Sequence, residues 1–338
     1  MHESVLITRA TFPDIVERLR GYFDVSYNDD DTIWTQPELI ARLRGKTGAV
    51  TCGNDRIDAT LLDACPQLKA VCNIGVGYNN VDVAACTARG VLLTNTPDVL
   101  TETTADFGFA LMMATARRIT ESEHFLRRGD WKITGRFDMF VGPDVHGATL
   151  GILGMGRIGQ AIACRGAFGF GMRVIYHNRS QLAPAVEAEC HAQYVDKATL
   201  LREADHLVIV VPYSPSSHHA IGAAELAQMK PTATLTNIAR GGVVDDVALA
   251  RALQNKQIAA AGLDVFEGEP QVSPELLAVS NVVLTPHIGS ASINTRHAMG
   301  MLAANNLIAA MGCGEQAGKP LTPVNPEVLA LPSWKSKS

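Results

Sequence analysis

No stretch of the sequence reads as a membrane span, because the longest candidate, Leu150 to Met172, is interrupted by Arg157, Arg165 and several glycines. The first dozen residues carry Glu3 and only the short apolar run Val5-Leu6-Ile7, so they lack the basic and hydrophobic regions of a signal peptide. There is no long Lys/Arg run and the net charge is -5, which argues against nucleic acid as a partner. The seven cysteines form no C-x-x-C pair, so neither a disulfide framework nor a metal site is expected and a reducing cytoplasm is the simplest setting. Repeats of solenoid period are also missing. A compact, cytoplasmic, non-membrane protein is the expectation.

What is present is a folded composition, 47% hydrophobic and 19% charged, in a chain of 338 residues, long enough for two domains with separate cores. Apolar runs alternate with helix-like segments from the start: Ser4 to Thr8 then Pro13 to Arg20, Ala49 to Thr51 then Asp58 to Ala64, Ala70 to Ile74 then Asp82 to Arg89. That rhythm predicts a parallel sheet covered on both faces. A long helical pattern follows, Glu102 to Leu126, and then an irregular stretch between Gly129 and Gly147 holding Trp131, Phe137, Met139 and Phe140. Apolar side chains on a loop need cover, and a second subunit is the expected source. A second alternating series has strand candidates at Thr149 to Leu153, Arg173 to Tyr176, Leu207 to Val211, Thr234 to Asn237, Ala260 to Val265 and Val282 to Leu284, and a last helix over Asn294 to Met311. The predicted fold is α/β, with two doubly wound parallel-sheet domains.

Gly154-Met155-Gly156-Arg157-Ile158-Gly159 fits G-x-G-x-x-G, follows the apolar strand Leu150 to Leu153 and opens a helical pattern. In that context the glycines allow a tight turn and close approach of a pyrophosphate to the helix N-terminus. An NAD site usually adds a carboxylate near the end of the next strand for the ribose hydroxyls. Here no Asp or Glu occurs from Gly154 through Val186, and the strand end reads Tyr176-His177-Asn178-Arg179-Ser180. The planar donors of Arg179 suit a phosphate, so NADPH (NADP+) is preferred and NADH is possible, although a solvated surface arginine is the plainer alternative.

Three further strings each follow an apolar run: Asn237-Ile238-Ala239-Arg240-Gly241-Gly242, Gly262-Leu263-Asp264-Val265-Phe266-Glu267-Gly268-Glu269-Pro270 and Thr285-Pro286-His287-Ile288-Gly289. Residues just beyond the carboxyl ends of parallel strands converge on the ligand crevice. A cation, a carboxylate and an imidazole there suit reduction of a 2-oxo acid. Taken singly, each also reads as an ordinary surface or loop group.

Together with Val99-Leu100-Thr101-Glu102-Thr103-Thr104-Ala105-Asp106 and the loop Asn73-Ile74-Gly75-Val76-Gly77-Tyr78-Asn79-Asn80-Val81-Asp82, these strings closely resemble the D-isomer-specific 2-hydroxyacid dehydrogenase family over nearly the whole chain. The nearest branch in motif is that of glyoxylate/hydroxypyruvate and 2-ketogluconate reductases. The resemblance implies that Arg240 binds the substrate carboxylate and carbonyl, that His287 is the acid/base, and that Glu269 is its partner. It also implies substrate contacts from the backbone N–H groups of Val76 and Gly77, and cofactor contacts from Thr104, Ile238 and Asp264 besides the Gly-rich turn. An anionic Glu269 in reach would favour the imidazolium and orient its ring.

By the same resemblance, a flavodoxin-like substrate domain comprises residues 1–98 and 289–330, and an inserted Rossmann coenzyme domain comprises 99–288. The active site would lie in the cleft, residues 331–338 would form a flexible tail, and the protein would be a homodimer. The family usually has Asp where Asn79 stands, and related reductases often carry a tryptophan where this chain has Asp138-Met139-Phe140-Val141. Rival readings are a dinucleotide-sensing corepressor of the same fold, D-3-phosphoglycerate dehydrogenase and, more distantly, formate dehydrogenase.

Overall fold

The computed structural model describes residues 3–335. The chain divides into two compact units, one holding the residues up to Leu100 and those from Ser292 onward, the other Thr101–Ala291. These limits lie two to three residues from the expected domain boundaries. No helix among the described residues is long and apolar enough to cross a membrane.

The first unit is built on five parallel strands, β1 (Ser4–Ile7), β2 (Asp24–Tyr27), β3 (Gly48–Cys52), β4 (Ala70–Ile74) and β5 (Leu92–Thr94), in the order β2-β1-β3-β4-β5. That is the flavodoxin-like order. The helices between them begin where side chains cap free N–H groups, as when Asp82 accepts from Ala85 N at 2.9 Å before helix Val83–Ala88. The helix Ile293–Ala310 packs on this sheet, and the side chain of Leu307 fills the space that Gly48 leaves open. Pro332–Lys335, within the segment expected as a tail, form a short helix whose Trp334 donates its indole N–H to Gly90 O at 3.0 Å. Residues 336–338 of that segment lie outside the described residues.

The second unit holds seven parallel strands: β6 (Thr149–Leu153), β7 (Arg173–His177), β8 (Ala192–Tyr194), β9 (His206–Ile209), β10 (Thr234–Asn237), β11 (Ala260–Leu263) and β12 (Val282–Leu284). Their order is β12-β11-β10-β9-β6-β7-β8, the Rossmann order extended by one strand, with its switch point between β6 and β9. Strands β9, β10 and β11 are buried throughout, as expected of central parallel strands covered on both faces. The helix Thr101–Ala116 lies directly on the sheet, where a Cβ on Gly262 would meet Thr115 Oγ1 at 2.4 Å.

The long helix expected over Glu102 to Leu126 is instead two, Thr101–Ala116 and Ile119–Arg127. Arg118 adopts φ 51° between them and donates to Glu121 and to Val141 O. The chain at Gly142 rests on the last turn of the first helix, so close that a Cβ there would sit 2.0 Å from Ala116 O. In the irregular arm Trp131, Ile133, Phe137 and Val141 are exposed, Phe137 fully at 101%. Phe140 instead packs within the chain, edge-on to Phe125 at 5.2 Å and beneath the Arg118 guanidinium.

Candidate active site

In the second unit the predicted site residues gather beyond the carboxyl ends of β6, β7, β10, β11 and β12, with Thr104 coming from the helix that lies on the sheet. The Gly-rich turn has one role per glycine. Gly154 adopts φ 103° and a Cβ there would strike the Val210–Val211 backbone at 2.8 Å, while one on Gly159 would strike Gly154 O at 2.4 Å. Gly156 faces open space, and the helix Arg157–Cys164 starts directly after it. Met155 is buried beneath the turn, and its N–H donates to Asn178 Oδ1 at 2.7 Å. Asn178 therefore braces the turn, a use that the sequence did not announce. His177 is held by Val195 O at 2.9 Å, whereas Arg179 and Ser180 are exposed at the strand end.

Two further observations fit a bound dinucleotide. The Thr104 hydroxyl has no hydrogen-bond partner among the described residues, and the residue is only 7% exposed. Such a group ordinarily finds a partner. Gly156 leaves the cradle that a side chain would fill. Ile238 packs against Gly108 under the same region.

The catalytic candidates are tied together by charge and hydrogen bonds. His287 Nδ1 lies 2.8 Å from Glu269 Oε2, and the other carboxylate oxygen accepts from Phe266 N at 2.9 Å. Burial would raise the Glu269 carboxyl, but the His287 bond and charge, the Phe266 N–H and the Arg240 charge outweigh it and hold Glu269 below the ordinary carboxylate range. Arg240 is half-buried, donates to Ala239 O at 2.7 Å, and has its pKa lowered by burial against the opposing pull of Glu269.

Asp264, 2% exposed, organises the loop that carries His287. One of its oxygens accepts from Thr285 Oγ1 and Ile288 N, both at 2.8 Å, and the other from Gly289 N at 2.8 Å. Burial raises the Asp264 carboxyl, partly offset by those three donors. The loop they define holds His287 at φ 54°, a left-handed conformation that costs about 1–2 kcal/mol outside glycine.

Sequence reasoning also missed His219. Its ring bonds Glu267 at 2.9 Å and its N–H donates to Gly242 O at 2.7 Å, so it fastens the loops that follow β9, β10 and β11. With His218, these two residues have ligand atoms within 4.8 Å of one another.

In the first unit, the loop after β4 is shaped by side chains that bond its backbone. Asn95 donates to Val76 O at 2.9 Å, Asn73 to Gly77 O at 3.2 Å, and Gly75 N donates to Thr96 Oγ1 at 2.8 Å. The N–H groups of Val76 and Gly77 have no acceptor among the described residues.

A dinucleotide turn at the first strand of a Rossmann sheet, with an arginine, a carboxylate and an imidazole at the ends of later strands, defines a nicotinamide-dependent oxidoreductase. Residues 109–289 match the family model described as D-isomer specific 2-hydroxyacid dehydrogenase, NAD binding domain. The chain is 48% identical over 332 residues to glyoxylate reductase of Thermococcus onnurineus, covering 97% of this chain and 98% of that one. It is 44% identical over 315 residues to glyoxylate/hydroxypyruvate reductase B of Klebsiella pneumoniae, covering 92% and 96%. Among solved structures, the NADPH-dependent glyoxylate/hydroxypyruvate reductase of Sinorhizobium meliloti in complex with NADP and malonate superposes with a TM-score of 0.83 at 38% identity, covering 96% of this chain and 97% of that one. The chain belongs to the D-isomer-specific 2-hydroxyacid dehydrogenase family, and is an NAD(P)-binding oxidoreductase.

Proposed function

We propose that this enzyme reduces small 2-oxo acids to D-2-hydroxy acids, with glyoxylate and hydroxypyruvate as leading substrates, 2-ketogluconate as a further one, and NADPH preferred over NADH. The observation that carries the reading is the 2.8 Å pairing of His287 with a Glu269 held anionic beside Arg240. His287 gives its Nδ1–H to Glu269, which leaves Nε2 to carry the proton that the substrate oxygen takes up. The guanidinium of Arg240 and the imidazolium stabilise the negative charge that grows on that oxygen, and the planar fork of Arg240 suits a carboxylate. The N–H groups of Val76 and Gly77 are assigned to the substrate carboxylate.

The cofactor would be held by Gly154 to Gly159, Thr104, Ile238, Asp264 and the His177 to Ser180 strand end. When bound, the reduced nicotinamide supplies the hydride. Preference for NADPH rests on the missing carboxylate between Gly154 and Val186, on the engagement of Asn178 with Met155, and on the exposed Arg179 and Ser180. The related Sinorhizobium enzyme, whose name makes it NADPH-dependent, supports that choice. We assign the exposed apolar arm to a homodimer interface.

Glyoxylate, hydroxypyruvate, 2-ketogluconate, pyruvate and phenylpyruvate, each assayed with both reduced cofactors, test this reading. Glyoxylate and hydroxypyruvate with NADPH should give the highest kcat/KM. Failure to turn over any of the five would contradict it.

A further inference from the structure

Cys164 and Cys190 make the one sulfur–sulfur contact among the described residues, with Sγ atoms 3.9 Å apart. Cys164 closes the helix Arg157–Cys164 that opens at the Gly-rich turn, and Cys190 follows the helix Pro184–Glu189. The other near polar atoms are main-chain carbonyls, Glu189 O at 3.8 Å from Cys164 Sγ and Gln160 O at 3.8 Å from Cys190 Sγ. Neither sulfur is committed to a strong partner. The remaining five cysteines all belong to the other unit.

We propose that Cys164 and Cys190 form a reversible intrachain disulfide when the protein meets a peroxide, and that closing it weakens cofactor binding at the strand end His177 to Ser180. The second half rests on the dinucleotide reading given above. Cys164 is half-buried and reachable, whereas Cys190 is 2% exposed, so the peroxide meets Cys164 first. The Cys164 sulfur attacks a peroxide oxygen, the O–O bond breaks, and one water leaves with a sulfenic acid on Cys164. The Cys190 sulfur then attacks that sulfenyl sulfur. The S–S bond forms, the S–O bond breaks, and the Cys190 proton leaves with the hydroxide as a second water. Two thiols and one hydrogen peroxide thus give one disulfide and two waters, the two electrons passing from sulfur to peroxide. Burial, with the neighbouring Cys164, pushes the Cys190 thiol up to about 12, so Cys190 is not the first site of oxidation.

The geometry indicates which side moves. A disulfide needs its sulfurs about 2.05 Å apart, so the pair must close by roughly 1.9 Å. The Cys164 end is anchored, because the adjacent Arg165 bonds Asp106 at 2.6 Å and Glu102 at 2.8 Å on the helix Thr101–Ala116. The helix Pro184–Glu189 has no buried residue and can give. Its Glu187 accepts from Tyr176 Oη at 2.8 Å and Gln181 Nε2 at 3.0 Å, which flank the strand end. Pulling Cys190 toward Cys164 therefore drags on the segment that bears Arg179.

Non-reducing peptide mapping by mass spectrometry, after exposing the full chain to excess hydrogen peroxide, tests the bond. The expected result is a linked pair of peptides containing Cys164 and Cys190, reversed by dithiothreitol and absent in both Cys164→Ser and Cys190→Ala. The NADPH Kd of the oxidised protein should rise roughly three- to tenfold, the scale of one lost hydrogen bond, and stay unchanged in peroxide-treated Cys164→Ser. Sulfinic or sulfonic acid on Cys164 without a cross-link would overturn the disulfide. A cross-link with unaltered Kd would overturn the coupling. Reduced protein that binds neither NADPH nor NADH would overturn the dinucleotide reading and the coupling with it, while the peptide map still decides the disulfide.

Discussion

Glu269 Oε2 meets His287 Nδ1 at 2.8 Å, while its other oxygen is fixed by the N–H of Phe266. Both carboxylate oxygens are thus held by the chain itself. Because its folded pKa is depressed, Glu269 contributes stability in full above its unfolded value of about 4.3, and that contribution is lost as the pH falls through the folded value. Thermal unfolding of wild type and Glu269→Gln should differ near pH 6 and converge as the pH falls through the folded value. In the reduction assay Glu269→Gln should lower kcat at saturating cofactor, since the His287 ring has lost the carboxylate that orients it. Wild-type unfolding and kcat in Glu269→Gln would break the pairing.

Asp264 accepts three hydrogen bonds from the loop that holds His287 at φ 54°. In Asp264→Asn an amide NH2 must face at least one of those donors, at a cost of about 1–3 kcal/mol. A misplaced His287 should lower kcat by roughly 10- to 100-fold at saturating cofactor. Retention of both Tm and kcat would show that the loop holds its shape without Asp264.

Much of the fold was legible because buried parallel strands write themselves as short apolar runs. Thr234 to Asn237 and Val282 to Leu284 agree at both ends with β10 and β12. The strands that sequence reading missed are β2, β5 and β8. Asp24–Tyr27 and Ala192–Tyr194 are partly solvent-facing and carry little apolar signal, whereas Leu92–Thr94 is buried throughout and was passed over despite its apolar run. In the site, Arg240, Glu269 and His287 stood out as polar residues at strand ends. The use of Asn178 to brace Met155, of Asp264 to shape a loop, and of His219 to reach Glu267 depends on contacts 23, 25 and 48 residues apart, which leave no local pattern.

Arg179 stands exposed at the end of β7 with no acidic residue from Gly154 through Val186. Arg179→Ala should weaken NADPH binding by about one to two orders of magnitude while sparing NADH, the value of a charge-assisted bond to phosphate. Asn178→Asp should shift preference toward NADH, because the new carboxylate keeps an acceptor for Met155 N while repelling a 2′-phosphate. Higher kcat/KM with NADH than with NADPH in the wild type would remove Arg179 from phosphate binding.

The arm between Gly129 and Gly147 exposes Trp131, Ile133, Phe137 and Val141 together. If a second copy covers them, deletion of Gly135 to Val141 should shift sedimentation equilibrium from dimer toward monomer. A monomeric wild type, or an unaltered dimer after deletion, would contradict the assignment.

In the proposed mechanism His287 donates the proton in reduction of the 2-oxo group. The most direct measurement is single-turnover reduction of hydroxypyruvate by His287→Ala preloaded with NADPH, alongside NADPH Kd by fluorescence titration. The expected rate is lower than wild type by roughly two to four orders of magnitude, with Kd changed by less than about threefold. A near-normal single-turnover rate in His287→Ala would contradict it.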